Sequence, residues 1–341
     1  MRRPARTVCA LLAWLIGTAS VVAVTGVQAA PLALTPLVTG VSTFISNALV
    51  FIAIEEGHFA ASGIEIRQVV IRSDIEAWPA LIAGQMDVNA GGFNAGLIEA
   101  IRRGARLRIV ADKWHLGPAD RTLALMVRQE LIDSGRFRTL PDLQGLRVAA
   151  GIRGGVNERF WDRLLRDRAF LTREHVTFIQ VPQAFVADAL RAKVVDAALT
   201  GEPYVTRLEN LGVAKVVVTG DEILPRAQLG AITYGPNLLS RNRGLGQRFM
   251  NAYLRGVRQY NAGKTERNLA IIRRFTGEDE ALLRQMQWPF IHADGHLNVE
   301  SIAAFQAWWV REGLLPQTLP PEQVVDLAFI RRAAIDLAKP K

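Results

Sequence analysis

Four short polar turns carry the residues of this sequence that are best suited to bind a ligand. The first turn, residues 42–47, follows an apolar run and contributes Ser42, Thr43, Phe44 and Asn47. Its hydroxyl and amide groups are short donors and acceptors that leave the backbone approachable for a polar ligand. Helix capping is the alternative interpretation, because serine and asparagine are ordinary N-cap residues.

The other three turns, residues 90–94, 151–156 and 201–204, are rich in glycine or polar residues. Their candidate binding residues are Gly92, Asn94, Arg153, Gly155, Val156 and Glu202. Glycine permits close approach to the backbone, and Arg153 is a candidate partner for an anion. Trp114, which follows a further apolar run, is a candidate aromatic wall, with core packing as the alternative. These positions predict a polar binding cleft.

The elements around the turns predict an α/β protein. Short β-rich runs alternate with amphipathic helical segments up to about residue 219, and the remainder is mostly helical. Each turn follows a predicted strand and precedes a predicted helix. In an open parallel sheet, ligands bind beyond the carboxyl ends of the strands, where helix N-termini expose N–H groups.

An internal repeat predicts two similar lobes. The segments "LIAGQMDVNAGG" (residues 81–92) and "LRAKVVDAALTG" (residues 190–201) keep Leu, Ala, Asp and Gly at the same relative positions. Each series then contributes two of the four turns. We therefore expect the cleft to lie between two α/β lobes.

The N-terminus predicts an export signal. Arg2, Arg3 and Arg6 precede an uncharged apolar stretch that ends in Val-Gln-Ala, so we place the signal at residues 1–29; a retained membrane anchor is the alternative. Cleavage would remove Cys9, the only cysteine, and lower the formal charge from +9 to +6. The remaining charges are scattered, which argues against nucleic-acid binding.

Sequence motifs for catalysis are lacking. No GxSxG elbow, P-loop lysine or GxGxxG occurs, and a mature chain without cysteine has no thiolate nucleophile or ligand. His292 and His296 have a spacing that suits a metal on a helix, but "HADGH" is more typical of a turn. We expect no enzyme activity, no cofactor and no metal.

At this point the chain resembles the substrate-binding proteins of bacterial ABC importers in the nitrate, sulfonate, taurine and thiamine-pyrimidine-precursor (NMT1-like) group. The segments that carry the resemblance are "ALVFIAIEEGHFAASGIEI", "PALIAGQMDVNAGGFNAGLIEAIRRGARLRIVAD", "LPDLQGLRVAAG" and "ALRAKVVDAALTGEPYV". They cover most of residues 38–218 in the order of the family. The four turns correspond to cleft loops there. Many relatives have tryptophan at the position of Gly201, which implies extra space or a different ligand shape.

The resemblance implies a two-lobed periplasmic-binding-protein fold of type II that closes on its ligand. One lobe would comprise residues 32–123 and 229–341, the other residues 124–228, with crossovers in "TLALMV" and "LGAITY". The implied function is a monomeric periplasmic receptor that delivers a small organic anion, a sulfonate or carboxylate, to an ABC permease in the inner membrane.

Three alternatives stand beside that function. The cleft could bind a thiamine pyrimidine precursor or another heteroaromatic compound, although Asn47 occupies a position where such binders tend to carry histidine. The protein could instead be a ligand-sensing subunit that reports to a separate signalling protein. An enzyme on the same fold makes the thiamine pyrimidine in fungi, but it depends on cysteines that the mature chain lacks.

Overall fold

Ten strands form two five-stranded sheets in the computed structural model, which describes residues 34–72, 74–151 and 153–339. Sheet A contains β1 (Thr35–Val41), β2 (Ile64–Val70), β3 (Val88–Gly92), β4 (Arg108–His115) and β10 (Gln228–Tyr234). Sheet B contains β5 (Leu123–Arg128), β6 (Arg147–Ala150), β7 (Thr177–Gln180), β8 (Ala197–Gly201) and β9 (Ala214–Thr219). The α/β class and the predicted strands are confirmed. The predicted signal segment lies outside the described residues.

Helices cover both sheets. They are α1 (Ala48–Glu55), α2 (Asp74–Ala83), α3 (Ala95–Arg102), α4 (Gln129–Asp133), α5 (Val156–Leu164), α6 (Val186–Arg191), α7 (Tyr204–Asn210), α8 (Gly220–Ile223), α9 (Arg243–Tyr260), α10 (Glu266–Thr276), α11 (Glu280–Gln285), α12 (Val299–Arg311), α13 (Pro321–Val324) and α14 (Ala328–Ala338). None of the described helices is both long and apolar enough to cross a bilayer.

The two sheets have the same topology. The strand orders are β2-β1-β3-β10-β4 and β7-β6-β8-β5-β9, with three parallel strands followed by two that alternate in direction. In each sheet, the fourth strand in this order is the one that the chain forms directly after crossing from the other sheet. It is β5 in sheet B and β10 in sheet A. The lobe limits given above stay a prediction, because the described residues form one compact unit.

The repeated aspartate has the same role in both sheets. Asp87, before β3, accepts a hydrogen bond from the Val38 backbone N–H at 2.8 Å. Asp196, before β8, accepts one from the Arg147 backbone N–H at 3.0 Å. Each carboxylate therefore joins the start of its own strand to the neighbouring parallel strand, which gives a physical reason for the repeat seen in the sequence.

The apolar core is continuous across the two sheets. One cluster runs from Phe93 through Phe305 and Trp309 of α12 to Trp161 of α5. On the other face of sheet A, the apolar helix α1 packs against α9. A Cβ at Gly256 of α9 would lie 2.4 Å from the Leu49 carbonyl oxygen of α1. Glycine is required there because the two helix backbones approach too closely for a side chain.

We expect the substitution Asp87→Ala to lower the free energy of unfolding by about 1.5 to 3 kcal/mol, since hydrogen bonds to a charged group are lost. Asp87 also accepts a bond from Asn237 Nδ2 at 2.8 Å. Urea unfolding monitored by circular dichroism measures the loss. Asp188→Ala is the matched control: that carboxylate is 72% exposed, and we expect a change within about 0.5 kcal/mol. Equal effects of the two substitutions would contradict the role of Asp87.

Candidate functional site

The four predicted turns meet between the carboxyl ends of sheets A and B. The Ala95 backbone N–H, at the start of α3, donates to the Gly154 carbonyl at 3.3 Å. The rings of Phe44 and Tyr204 pack edge to face, with centroids 6.1 Å apart. Both contacts join a turn of sheet A to a turn of sheet B. We call the region bounded by these turns and Trp114 the cleft.

The turn after β1 presents buried polar groups. Asn47 is fully buried; its Nδ2 donates to Ser42 Oγ at 2.7 Å. Its Oδ1 is buried and accepts no hydrogen bond from the described residues. Thr43 is exposed and Phe44 is half-buried. An unused buried acceptor is costly, so Asn47 Oδ1 is suited to receive a ligand N–H or O–H.

The turn after β3 is held by helix capping. Asn94, 6% exposed, is the N-cap of α3, and its Oδ1 accepts from the Leu97 N–H at 3.0 Å and from Trp78 Nε1 at 3.3 Å. That oxygen is therefore occupied. Gly92 ends β3 and pairs with Gly230 of β10. This turn therefore lines the cleft mainly with backbone atoms, because the Asn94 side-chain oxygen is already hydrogen-bonded.

The turn before α5 does not point Arg153 at the turns of sheet A. Arg153 is exposed and lines a cavity of about 150 Å³ whose other walls, including Glu158 and Arg173, also belong to the sheet B half. Gly155 is the N-cap of α5 and Val156 its first residue. Glu158 accepts the Gly154 N–H at 2.6 Å, so an acidic side chain already occupies that helix N-terminus.

Glu202 bonds the first turn of α7, whose N-cap residue is Pro203. It is 5% exposed, and its two carboxylate oxygens accept from the backbone N–H and the hydroxyl of Thr206 at 3.0 and 2.7 Å. Burial raises the pKa of Glu202, and the Thr206 bonds oppose that rise. Both carboxylate oxygens are therefore engaged by Thr206 of α7.

Trp114 fills the space that Gly201 leaves. Its Nε1 donates to Thr122 Oγ1 at 3.1 Å, and a Cβ placed on Gly201 would lie 3.3 Å from the indole Cη2 atom. The indole of Trp114, from sheet A, thus packs against the end of β8. The sequence prediction of extra space at Gly201 therefore needs revision, because the space holds a tryptophan from another strand.

The structure adds a buried cation that sequence reasoning missed. Lys113 is 3% exposed, and its Nζ donates to Ser46 Oγ at 3.1 Å. Trp114 pairs with Gly230 of β10 and Asp112 pairs with the next residue, Ala231, so Lys113 sits at a β-bulge. Bulges re-aim side chains beside binding sites. A lysine directly after the predicted strand "LRIVAD" is the available signal.

A second, half-buried cation lies where α5 meets α12. The guanidinium carbon of Arg159 lies 4.2 Å from the centre of the Phe305 ring, and Arg159 Nη1 is buried without a hydrogen-bond partner among the described residues. Burial of the guanidinium is the main cause that lowers the pKa of Arg159 to about 10, and the charges of two neighbouring arginines add to it. Phe305 in turn packs edge to face with Phe93 of the turn after β3, with centroids 5.3 Å apart.

This architecture is the type II periplasmic-binding-protein fold, with two α/β halves and polar loops that face each other. The sequence model of the NMT1-like family matches residues 31–272, and the chain belongs to that family. The suspected resemblance is thereby confirmed. Among proteins with curated functions, none matches this sequence.

Solved structures share the fold at low sequence identity. The periplasmic nitrate-binding protein NrtA of Synechocystis has a TM-score of 0.72 and 14% identity, with 90% of each chain covered. The alkanesulfonate-binding protein SsuA of Xanthomonas axonopodis pv. citri, bound to MOPS, has a TM-score of 0.65 and 20% identity over 87% of this chain and 97% of that one. The desulfurization enzyme DSZB has a TM-score of 0.63 and 16% identity over 89% and 99%. The fold thus occurs in binding proteins and in an enzyme.

We expect Phe44→Ala to loosen the contact between the two halves. Loss of an aromatic pair costs about 0.5 to 1.5 kcal/mol, so amide hydrogen exchange at residues 92–97 and 153–156 should accelerate about twofold to tenfold. Phe185→Ala is the control, because Phe185 is 60% exposed. Exchange that is unchanged in Phe44→Ala would show that the ring pair does not hold the cleft together.

Proposed function

We propose that the protein is the periplasmic solute-binding component of an ABC importer and that it binds a small organic anion, of the sulfonate or carboxylate type, in the cleft. The observation that carries the proposal is the meeting of the polar turns beside two cationic side chains, Lys113, which is buried, and Arg159, which is half-buried. Lys113 and Arg159 provide positive charge, Ser42 and Ser46 provide hydroxyl groups, and the fold supports a role in binding.

The electrostatics of the cleft favour an anion. Lys113 places a buried ammonium group beside Ser46 of the turn after β1, and Arg159 has a buried Nη1 that lacks a partner among the described residues. A buried cation is stabilised by an opposite charge within hydrogen-bond distance. The acidic residue of the cleft, Glu202, bonds α7 with both oxygens. A sulfonate or carboxylate would therefore meet donors without meeting an unpaired carboxylate.

Closure gives such a protein its transport role. A ligand that contacts both halves binds the closed form better than the open form and shifts the hinge equilibrium toward closure. A permease in the inner membrane would recognise the closed form. Residues 34–339 contain no cysteine, so thiolate catalysis is not available to them, which favours binding over catalysis.

A heteroaromatic ligand is the second candidate. Asn47 Oδ1 is the acceptor that favours it, since this atom requires a donor such as a ring N–H, and Phe44, Tyr204 and Trp114 supply aromatic surface nearby. Thiamine pyrimidine precursors combine such donors with an aromatic ring. In that case Asn47→Ala should weaken binding more than Lys113→Gln does.

The function is tested by a thermal-shift screen of residues 30–341 against sulfonates, nitrate, aliphatic and aromatic carboxylates, and thiamine precursors. A ligand that binds only the folded protein raises the melting temperature. A shift with sulfonates or carboxylates alone supports the anion proposal. A shift confined to thiamine precursors would replace it with the second candidate.

For an anion found in the screen, we expect Lys113→Gln to weaken binding by about 1.5 to 3 kcal/mol, the range for a charge-assisted hydrogen bond. Isothermal titration calorimetry measures the change, and near-ultraviolet circular dichroism checks the fold. Lys215→Gln is the matched control, because Lys215 is exposed on β9. Undiminished affinity in Lys113→Gln would remove Lys113 from the site.

Arg153→Ala tests the sequence prediction directly. Arg153 is exposed and lines a separate cavity, so we expect its removal to change affinity by less than about twofold, since solvent screens an exposed charge. A large loss would instead return Arg153 to the binding site.

A further inference from the structure

A cluster of histidine and aspartate side chains lies outside the cleft, where β4 meets the loop after α11. Asp112 and His115 belong to β4, and His292 belongs to the loop. Each of the three offers a ligand atom, and these atoms lie within 4.8 Å of one another. Asp112 is fully buried, His115 is 3% exposed and His292 is half-buried.

The loop is fastened to the strand by its backbone. The Asp112 N–H donates to the Gly295 carbonyl at 2.9 Å, and the His115 N–H donates to the Phe290 carbonyl at 3.1 Å. The backbone N–H of His292 donates to Asp112 Oδ2 at 3.0 Å. The three side chains are therefore brought together by contacts that do not depend on a bound ion.

Asp112 has a hydrogen-bond partner outside the cluster, and so has the neighbouring His296. Asp112 Oδ1 accepts from Gln228 Nε2 at 2.7 Å, and Asp112 Oδ2 lies 2.6 Å from His115 Nδ1. His296, whose ring stacks on that of His292 with centroids 3.6 Å apart, has its Nδ1 2.7 Å from Asp294 Oδ1. Metal-binding histidines and carboxylates are commonly held in this way by hydrogen bonds from further residues.

We propose that Asp112, His115 and His292 form a binding site for a divalent transition-metal ion of the zinc type. Two imidazoles and one carboxylate are a ligand set that such ions prefer, whereas magnesium and calcium prefer oxygen ligands alone. Bonds of about 2.1 Å place the ligand atoms of a tetrahedral site about 3.4 Å apart. A small movement of His292, which lies on a loop, would bring the ligand atoms to this spacing. Rotation of the His296 side chain would supply a fourth ligand.

The position of the site suggests what an ion would do there. His115 ends β4, immediately before residues 116–122 carry the chain to sheet B, and Gln228 begins β10, where the chain returns. An ion held by Asp112, His115 and His292 would tie the loop to the strand next to both crossings. It would stabilise the hinge without touching the cleft, so this inference does not depend on the identity of the cleft ligand.

The test is a zinc titration of residues 30–341, purified without a histidine tag and stripped with chelator. Competition with a chromophoric chelator gives affinity and stoichiometry. We expect one zinc ion per chain and at least tenfold weaker binding in His292→Asn. That substitution retains the backbone N–H that bonds Asp112, so circular dichroism should show an unchanged fold. His115→Asn serves as a second variant.

His175→Asn is the matched control, since His175 is an exposed histidine away from the cluster. We expect it to bind zinc as the unsubstituted chain does. A cobalt-loaded sample adds a spectroscopic check, because its d–d bands should be lost in His292→Asn and kept in His175→Asn. Equal zinc affinity in the two variants, or no saturable binding below about 100 μM, would overturn the proposal.

Discussion

The hydrogen bond between Asp112 and Gln228 is the interaction on which the rest of the structure depends. Both side chains are fully buried. Gln228 Nε2 donates to Asp112 Oδ1 at 2.7 Å and also to the carbonyl oxygens of Trp114 and Gly230, while Gln228 Oε1 accepts from the Asn298 N–H at 3.0 Å. The pair thereby joins the strand that leaves sheet A to the strand that returns to it. Removing either partner would leave buried polar groups unpaired.

This arrangement fixes the elements that meet at the cleft. Because β4 and β10 are joined at their ends, the bulge at Lys113 is held in one register, and Trp114 is held against Gly201 of sheet B. The same strand therefore presents a cation and an aromatic ring toward the cleft, and Asp112 and His115 toward the loop after α11. A bulge breaks the simple alternation of a strand, and this is how neighbouring residues come to have such different surroundings.

Much of the fold was predictable from the sequence because its signals are local. The strand runs, the glycine-bearing turns and the repeated Leu-Ala-Asp-Gly pattern each depend on residues that are close together in the chain. Asp87 and Asp196 repeat because each bonds the neighbouring parallel strand of its own sheet. The family resemblance was carried by the same segments.

The site was predictable only as a set of turns, because the direction of a side chain depends on contacts that are distant in sequence. Asn94 and Glu202 are predicted ligand residues, yet their oxygens bond the first turn of a helix. Capping and ligand binding require the same residue types in the same place, so the sequence does not separate them. The sequence does not identify Lys113 as a site residue, because a strand pattern gives no sign of the bulge that directs its side chain.

The histidine cluster also depends on contacts between residues that are distant in sequence. The sequence predicts a turn that contains His292 and His296, and the backbone at residues 293–294 forms a turn. Their partner Asp112 lies 180 residues earlier in the chain, and only the fastening of the loop to β4 brings the groups together. Both the cleft and the cluster are therefore consequences of the end of β4, where four consecutive residues face two different environments.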